Sequence, residues 1–563
     1  MSATQNPSGH LTSLGDNPQV VEYDEKESIE VDFKADWKLY LVFATLCILA
    51  LAAALDGTCL GTALPTITTS IHGTTTQAIW ASIAFNLSST ICQLVFVSFS
   101  SIFGRKPMMI LAVLFFATGG FTGAIAGNIS VLTVGRAFQG VGSGAIIVLT
   151  EVIVTDLVPM RVRGKWFGII SLAWAIGTAG GPLIGGLLAE NDDWRWIFRI
   201  NVLLCVVAGV MIPLLLDIRF KNPVSVRKQL KEFDWAGLVL FVSSFTALLL
   251  SITMGGVIYP WSNWRITVLL STSLLGTILF VAYESFIPRF PFLCVVLFKN
   301  VTAAVTFLGT FLHGFILWSL LFYLPLYYQA IKGFNPTQSG LAVFPETLII
   351  APVSLTVGIL VSKTGHFKWS IVSGWFFTTL GTGLLILLDV HTTTPTWIGI
   401  NIIVGLGTGM LFSGMAFSIQ AAATAFGQDS ALAIAMFSFF RSLGATVGIA
   451  ASGALFQAEM KRKLLSFPAL AAQAMQYTND AVELAVAIKT LPPGGEERSG
   501  ITQAYSDGLK RVWLGMCIMA ALGTCTCFFA KEYSLDVQHN SEQVLGNREK
   551  DKLHSSSESQ EEV

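Results

Sequence analysis

Ala175-Ile-Gly-Thr-Ala-Gly-Gly-Pro-Leu-Ile-Gly-Gly186 lies in the middle of a long apolar run and carries no charge. Gly177, Gly181 and Gly185 recur every four residues, so in a helix they share one face. In lipid such a face lets two helix backbones approach closely. Pro182 is expected to bend the helix, with neighbours satisfying the backbone group it frees. Taken alone, the stretch reads as a packing face in a helical membrane protein.

The composition agrees with that setting. Soluble domains carry about 25% charged residues. This chain of 563 residues carries 12%, is 53% hydrophobic, and has a mean hydropathy of +0.66. It reads as an all-α polytopic membrane protein. The formal net charge of −1 gives no field that points to nucleic acid. The eight cysteines, Cys47, Cys59, Cys92, Cys205, Cys294, Cys517, Cys525 and Cys527, fall almost entirely inside apolar runs. They read as small buried apolar residues rather than disulfides or metal ligands. Residues 1–35 are polar and acidic, without a basic stretch followed by an apolar core. No cleavable signal peptide is expected, and the first span would serve as the targeting signal.

Stretches of about 20 apolar residues are transmembrane candidates. Fourteen are expected, at roughly 38–64, 78–99, 107–127, 131–155, 166–189, 196–216, 235–256, 266–287, 302–328, 338–361, 370–389, 397–420, 431–456 and 512–530. Loops after even-numbered spans hold Arg105, Lys106, Arg161, Arg163, Lys165, Arg219, Arg227, Lys228, Lys231, Lys299, Lys363 and Lys368, among others. Short loops after odd-numbered spans hold little beyond Arg195, Arg265 and Lys332. Positive charge marks the cytoplasmic side, so both termini are expected in the cytoplasm. The loop at 457–510 is then external and long, with Phe467 to Met475 and Ala481 to Ile488 as short surface helices and Leu491-Pro-Pro-Gly-Gly as an exposed turn. The polar tails, 1–37 and 531–563, are expected to be disordered.

A faint repeat divides the chain. Val97-x-x-x-Ser101-x-x-Gly104-Arg105-Lys106 follows span 2, and Gly358-x-x-x-Ser362-x-x-Gly365-His366 follows span 10. Both are short cytoplasmic hairpins at matching places in two six-span units. Parallel repeats of this kind build many secondary transporters, with the substrate site between the halves near the midplane. The expected organisation is a half at 38–216, a linker with two inserted membrane helices at 217–300, and a second half at 301–530.

Other chemistry lacks its signatures. There is no Gly-x-x-x-x-Gly-Lys-Ser/Thr loop for ATP. The seven histidines are scattered rather than set at metal spacing. Gly140-Val-Gly142 and Gly407-Thr-Gly409 lie in spans, so they are no dinucleotide loops. No cofactor or metal is expected, and the protein reads as no enzyme.

Ionisable groups inside spans are expensive and are functional candidates by default. Asp56 lies in span 1, Arg136, Gln139 and Glu151 in span 4, His313 in span 9, Glu346 in span 10 and Arg441 in span 13. Asp56 reads either as a proton-binding carboxylate governed by a nearby cation or as a helix–helix hydrogen bond. Arg136 is its natural partner, for relay or substrate contact, or as a lock between spans 1 and 4. Glu151 belongs to the same machinery or bonds to the basic cytoplasmic loop. Glu346 is a proton or cation-substrate candidate. Arg441 heads Arg441-x-x-Gly444-x-x-x-Gly448-x-x-x-Ser452, as site group or packing anchor. Glu284 and Asp389, near span ends, read as structural anchors. Trp80, Phe85, Trp174, Trp318, Phe322, Tyr323, Tyr327 and Phe412 offer aromatic surface, for lipid belts, core packing or an apolar pocket with cation–π capacity.

At these residues the chain resembles the major facilitator superfamily, specifically the fourteen-span drug:proton antiporters common in fungi. The resemblance runs over roughly 39–535. Leu55-Asp56-x-Thr58-x-x-x-x-Ala63-Leu64-Pro65-x-Ile67 is similar to the family's span 1 signature. Leu132-x-x-x-Arg136-x-x-Gln139-Gly140-x-Gly142 is similar to its span 4 motif, whose arginine is linked to proton coupling. Gly177-x-x-x-Gly181-Pro182-x-x-Gly185-Gly186 is similar to the span 5 motif associated with antiporters, and Trp194-Arg195-Trp196-Ile197-Phe198-x-Ile200-Asn201 resembles the entry into span 6. The hairpin after span 2 keeps Gly104, Arg105 and Lys106, but Val97 replaces the family's first glycine and Ser101 its aspartate. That aspartate normally helps a charge-relay latch, so here the latch is weaker or uses another acid such as Asp156.

The resemblance implies a major facilitator fold with 14 transmembrane helices, two six-helix halves plus two inserted helices. It implies a proton-coupled secondary transporter that exports drugs, toxins or secondary metabolites. Protons would move through Asp56, Arg136 and Gln139, with Glu151 or Glu346. The span 5 motif would act as a pivot that limits proton leak. The implied partners are a small organic substrate, protons and the lipid bilayer, for a monomer in the plasma membrane. The alternative is an uptake carrier of the same fold, for a siderophore or other nutrient, or a vacuolar amino-acid carrier.

Overall fold

The computed structural model describes residues 36–535, apart from 74, 221–224, 257–258, 288–292, 294, 480, 482–483, 486–487, 489–490 and 493–494, together with 543–545. From Trp37 the chain is a succession of long helices. Apolar runs must satisfy their backbone internally in lipid, and a helix does so within one segment. The long helices are α1 (Trp37–Ser70), α2 (Thr75–Phe103), α3 (Arg105–Ala124), α4 (Ile129–Leu157), α5 (Arg163–Glu190), α6 (Arg195–Leu215), α7 (Trp235–Met254), α8 (Trp264–Phe286), α9 (Val301–Ala330), α10 (Phe344–Thr364), α11 (Lys368–Leu385), α12 (Thr394–Ala425), α13 (Ser430–Leu465) and α14 (Glu496–Cys527). Asn128, Asp234, Asn263, Asn300, Asn335 and Asp429 cap helix starts by accepting from backbone N–H groups within the first turn.

Among the described residues, twelve helices are long and apolar enough to cross a membrane. Each expected span coincides with one long helix, but α11 and α14 are not among the twelve. α11 is only 18 residues long and mixes Ser, Thr, Gly and Lys among its apolar residues, while the first half of α14 is charged.

The helices pair in a pattern that repeats. In the first half α1 packs on α5 and α6, α4 on α2 and α3, and α3 on α6. In the second half α9 packs on α13 and α14, α12 on α10 and α11, and α11 on α14. The halves meet along two seams, α5 against α10, and α2 with α4 against α13. The hairpin α7–α8 sits over the second seam, where Phe241 of α7 lies 5.5 Å from Phe439 of α13 and Phe99 of α2 lies 6.1 Å from Trp235.

Gly104 (φ +94°) makes the tight turn between α2 and α3, and Gly365 (φ +73°) makes it between α10 and α11. A side chain tolerates that region poorly, which explains the glycine in both hairpin copies. The four-residue glycine spacing also occurs twice as packing. A Cβ on Gly177 would lie 2.8 Å from the Leu51 carbonyl, and one on Gly181 or Gly185 would collide with Thr58 Oγ1 or the Cys59 carbonyl. In the second half a Cβ on Gly444 would collide with the Phe311 carbonyl, and one on Gly448 would lie 2.5 Å from that of Phe315. The other side of α5 meets the second half. A Cβ on Gly164 would lie 2.5 Å from the Gly358 carbonyl, and one on Gly340 would lie 3.1 Å from Pro182 Cβ. α5 is thus wedged between α1 and α10. It runs unbroken through Pro182, whose carbonyl accepts from Thr62 Oγ1 at 3.3 Å.

Two expectations are corrected. The stretch 457–510 is not mainly loop: α13 extends to Leu465 and α14 begins at Glu496. These extensions are amphipathic. Met460, Leu464, Ile501, Tyr505 and Leu509 are buried between them, while Lys463 pairs with Asp507 at 3.0 Å and Arg511 with Glu459 at 3.5 Å. Short helices at Pro468–Ala471 and Ala474–Asn479 cover part of the intervening segment, in line with the expected surface helix there. The second correction is a two-stranded antiparallel ladder in an otherwise helical chain. Ile218–Phe220, after α6, pairs with Gln543–Leu545 of the tail, so disorder does not extend over the whole of 531–563. Residues 1–35 and the rest of the tail beyond 535 lie outside the described residues, as does Cys294.

Candidate functional site: a central cavity flanked by a buried ion-pair cluster

Asp56 (α1) and Arg136 (α4) form a buried ion pair. Arg136 Nη1 donates to Asp56 Oδ2 at 2.7 Å and to Gln139 Oε1 at 3.0 Å. Gln139 Nε2 and Asn201 Nδ2, from α4 and α6, donate to Asp56 Oδ1 at 2.9 and 3.0 Å. Asp56 is 0% exposed and Arg136 2%. Three helices are therefore tied by one carboxylate. Arg136 and Gln139 lie one turn apart and face the same neighbour. The guanidinium also sits over the Phe85 ring at 4.0 Å, a favourable position for a cation.

Phe85 leads to the cavity. A space of about 1340 Å³, part of it open to solvent, lies between the halves, with Phe85, Trp174, Trp318, Phe412, Glu151 and Arg441 among its lining residues. The other walls are largely apolar or hydroxyl-bearing, including Ala53, Gly57, Ser89, Thr90, Ile350 and Thr446. Across this cavity Arg441 Nη2 of α13 donates to Glu151 Oε1 of α4 at 2.7 Å, and its guanidinium lies 4.7 Å from the Phe412 ring and 5.1 Å from that of Phe437. Beside it Gln93 Nε2 donates to Ser442 Oγ at 2.7 Å, and the Thr90 and Thr446 hydroxyls lie 3.3 Å apart. The halves are thus joined beside the cavity by polar contacts. At the α4–α5 turn, Arg163 Nη1 donates to Gln420 Oε1 of α12 at 2.7 Å, a second polar tie between them.

The hairpin motif is likewise placed. Arg105 Nε donates to Asp156 Oδ2 at 2.9 Å and Nη1 to Ser100 Oγ at 2.8 Å, while Lys106 Nζ reaches the Pro213 carbonyl at 2.8 Å. Asp156 is the acid that pairs with Arg105; Ser101 itself is exposed and bonds the Ser98 carbonyl. In the second copy His366 Nδ1 lies 3.3 Å from Glu532.

Of the residues singled out from sequence, Asp56, Arg136 and Gln139 come together. Glu151 does not join them; among the described residues it pairs with Arg441 of the other half rather than with the basic loop. Glu346 stands apart, fully buried in α10. His313 Nε2 lies 3.1 Å from the Thr408 carbonyl and ties α9 to α12. Phe85, Trp174, Trp318 and Phe412 line the cavity, whereas Phe322 is exposed and Tyr327 donates to the Asp389 carbonyl at 2.9 Å. Asn201 was visible only as the end of the span 6 motif; its contact with Asp56 depends on α1 and α6 packing together.

A family model described as Major Facilitator Superfamily matches residues 46–449. The chain belongs to the major facilitator superfamily. As a member of that superfamily it is a multi-pass membrane transporter, not an enzyme. It is 41% identical to the MFS transporter L2 of Phoma sp., over 95% of this chain and 89% of that protein. It is 33% identical to the efflux pump FUS6 of Gibberella moniliformis, over 90% of each, and 34% identical to the acurin A biosynthesis cluster MFS-type transporter of Aspergillus aculeatus, over 90% of this chain and 92% of that one. The proton:xylose symporter XylE superposes with a TM-score of 0.53 at 13% identity, over 89% of this chain and 97% of that one. This is a likeness of fold alone. The repeated pairing of the two six-helix units is the major facilitator architecture, and the cavity lies between the halves, where such carriers hold their substrates.

Proposed function

We propose that this protein is a proton-coupled exporter of small organic compounds, with Asp56 as its proton-binding group and the inter-half cavity as its substrate site. Phe85 carries the proposal, because one ring both lines the cavity and lies 4.0 Å from Arg136, the partner of Asp56. Efflux pumps and a biosynthesis-cluster transporter among the relatives support export of secondary metabolites. The apolar, aromatic walls suit such compounds.

The coupling follows from charge. A proton arriving on Asp56 neutralises the carboxylate and leaves Arg136 buried without its counter-ion. Breaking a buried pair on one side costs roughly 3–5 kcal/mol. Moving a two-state equilibrium from 1:99 to 99:1 takes about 5.5 kcal/mol, so one protonation supplies most of the bias between inward and outward states. Substrate pressing on Phe85 acts on the same guanidinium. α5, wedged between α1 and α10, transmits the change across the seam.

Fourteen helices cross the membrane in this reading. α11 and α14 complete the second half as α3 and α6 complete the first, in the same pairings. The positive loops support a cytoplasmic position for both termini, and the carrier is read as a monomer of the plasma membrane. The deciding experiment measures accumulation of a panel of apolar organic compounds in inside-out vesicles under an imposed proton gradient, with wild type beside Asp56→Asn and Arg136→Ala. Gradient-driven accumulation by wild type and its loss in both variants is expected. Accumulation indifferent to the gradient would refute coupling, and uptake by whole cells without vesicle uptake would point to an importer.

A further inference from the structure

We propose that Glu346 is a second proton-exchange site, placed in the C-terminal half and holding its proton in the state seen here. The internal repeat locates it. A Cβ on Gly140 of α4 would collide with the Phe85 carbonyl of α2, and one on Gly405 of α12 would lie 2.6 Å from the Glu346 carbonyl of α10. Four residues on, Gly144 meets Ser89 and Gly409 meets Ile350 in the same way. Glu346 therefore occupies the place of Phe85, the ring on which Arg136 rests. Four residues before each glycine, Arg136 in α4 is matched by Asn401 in α12. The second half carries an acid in this layer, with no cation opposite it among the described residues.

The surroundings leave that acid uncompensated. Glu346 is 0% exposed, and neither Oε1 nor Oε2 has a hydrogen-bond partner among the described residues. Asn401 donates to Tyr328 Oη at 2.7 Å, but its own Oδ1 is a buried acceptor without a donor. α12 carries no charged residue from Thr394 to Ala425, and the short helix Pro336–Ala342 carries none. α5 brings Arg163, engaged by Gln420, and the exposed Lys165 at one end, and Glu190, reached by Thr337 at 3.4 Å, at the other. α9 brings Tyr328 and, further along, His313. Burial strongly disfavours an unpaired carboxylate, whereas the carboxylic acid is neutral and supplies a donor to a layer that lacks one. Thr347, the next residue, lines the cavity, so the proton has a short route to solvent when the cavity opens.

This inference rests on the coupled-exporter reading, and its test separates the two. Purified full-length protein in lipid nanodiscs is titrated by infrared difference spectroscopy, with proton release followed by a pH dye. Wild type is expected to show a carboxylic-acid C=O band that disappears at alkaline pH. Glu346→Gln loses it and releases about one proton fewer per molecule, Glu346→Asp retains a shifted band, and Asp56→Asn keeps the wild-type band. A band unchanged in Glu346→Gln, or one that persists at every pH, would overturn the assignment. Gradient-independent transport by wild type would sink the coupling reading and leave the assigned band in place.

Discussion

Glu151 of α4 and Arg441 of α13 stand 2.7 Å apart and belong to opposite halves of the molecule. They line the cavity with opposite charges, so rocking that parts α4 from α13 must break this pair. Arg441→Ala leaves Glu151 near apolar and aromatic walls without a cation. Loss of one partner costs about 3–5 kcal/mol at full burial, and less here because both side chains touch the cavity. A lowered Tm and reduced transport are expected. Arg441→Met combined with Glu151→Gln is expected to recover the Tm but not the transport rate, which thermal unfolding and a vesicle assay would read separately.

Asn201 offers a finer test of the Asp56 cluster. Asn201→Ala removes one of the three donors to the carboxylate, leaving the Arg136 pair in place. A cost of about 1–3 kcal/mol is expected for the lost bond to a buried charge, seen as a shifted thermal midpoint. Gradient-driven transport should fall partially, unlike the complete loss in Asp56→Asn. A neutral result in both measurements would contradict the arrangement.

The glycine face of α5 makes a steric prediction. A methyl group on Gly181 would run into Thr58 Oγ1, so Gly181→Ala forces α1 and α5 apart at a cost of about 1–3 kcal/mol. Transport should drop sharply while membrane insertion is normal, and adding Thr58→Ala should restore part of it. Gly181→Leu exceeds what that relief can accommodate and should abolish transport even in the double variant.

The hairpin latch gives the fourth. Asp156 is the acid that Arg105 uses, so Asp156→Asn should slow transport and lower the Tm, whereas Ser101→Ala should leave both nearly unchanged because that hydroxyl only bonds its own helix. Equal effects from the two variants would show that the acid at 156 has no special part.

Much of this protein is legible locally. Fourteen apolar runs appear in the sequence as separate stretches because a span is a run of neighbours in the chain. The turn glycines Gly104 and Gly365 are readable because one left-handed φ is a local demand. The Asp56–Arg136 pairing could be anticipated, since two opposite charges in one half of an apolar molecule have few places to go. The stretch 457–510 reads as loop with short helices because its composition is mixed, although much of it extends α13 and α14, whose apolar residues lie on faces that cover one another. The tail strand Gln543–Leu545 had no local signal at all, since its partner lies more than three hundred residues away at Ile218–Phe220.

Residue type and spacing were sufficient for the membrane class, the helix runs, the glycine face at Gly177, Gly181 and Gly185, and the superfamily resemblance, because each depends on periodicity along a single helix. Partnerships between helices were not. Glu151 met Arg441, Asn201 joined Asp56, and Glu346 was buried with neither carboxylate oxygen bonded among the described residues. Those outcomes turn on which faces the packed helices present to each other across the two halves, and an isolated ionisable residue in a span does not record its neighbour.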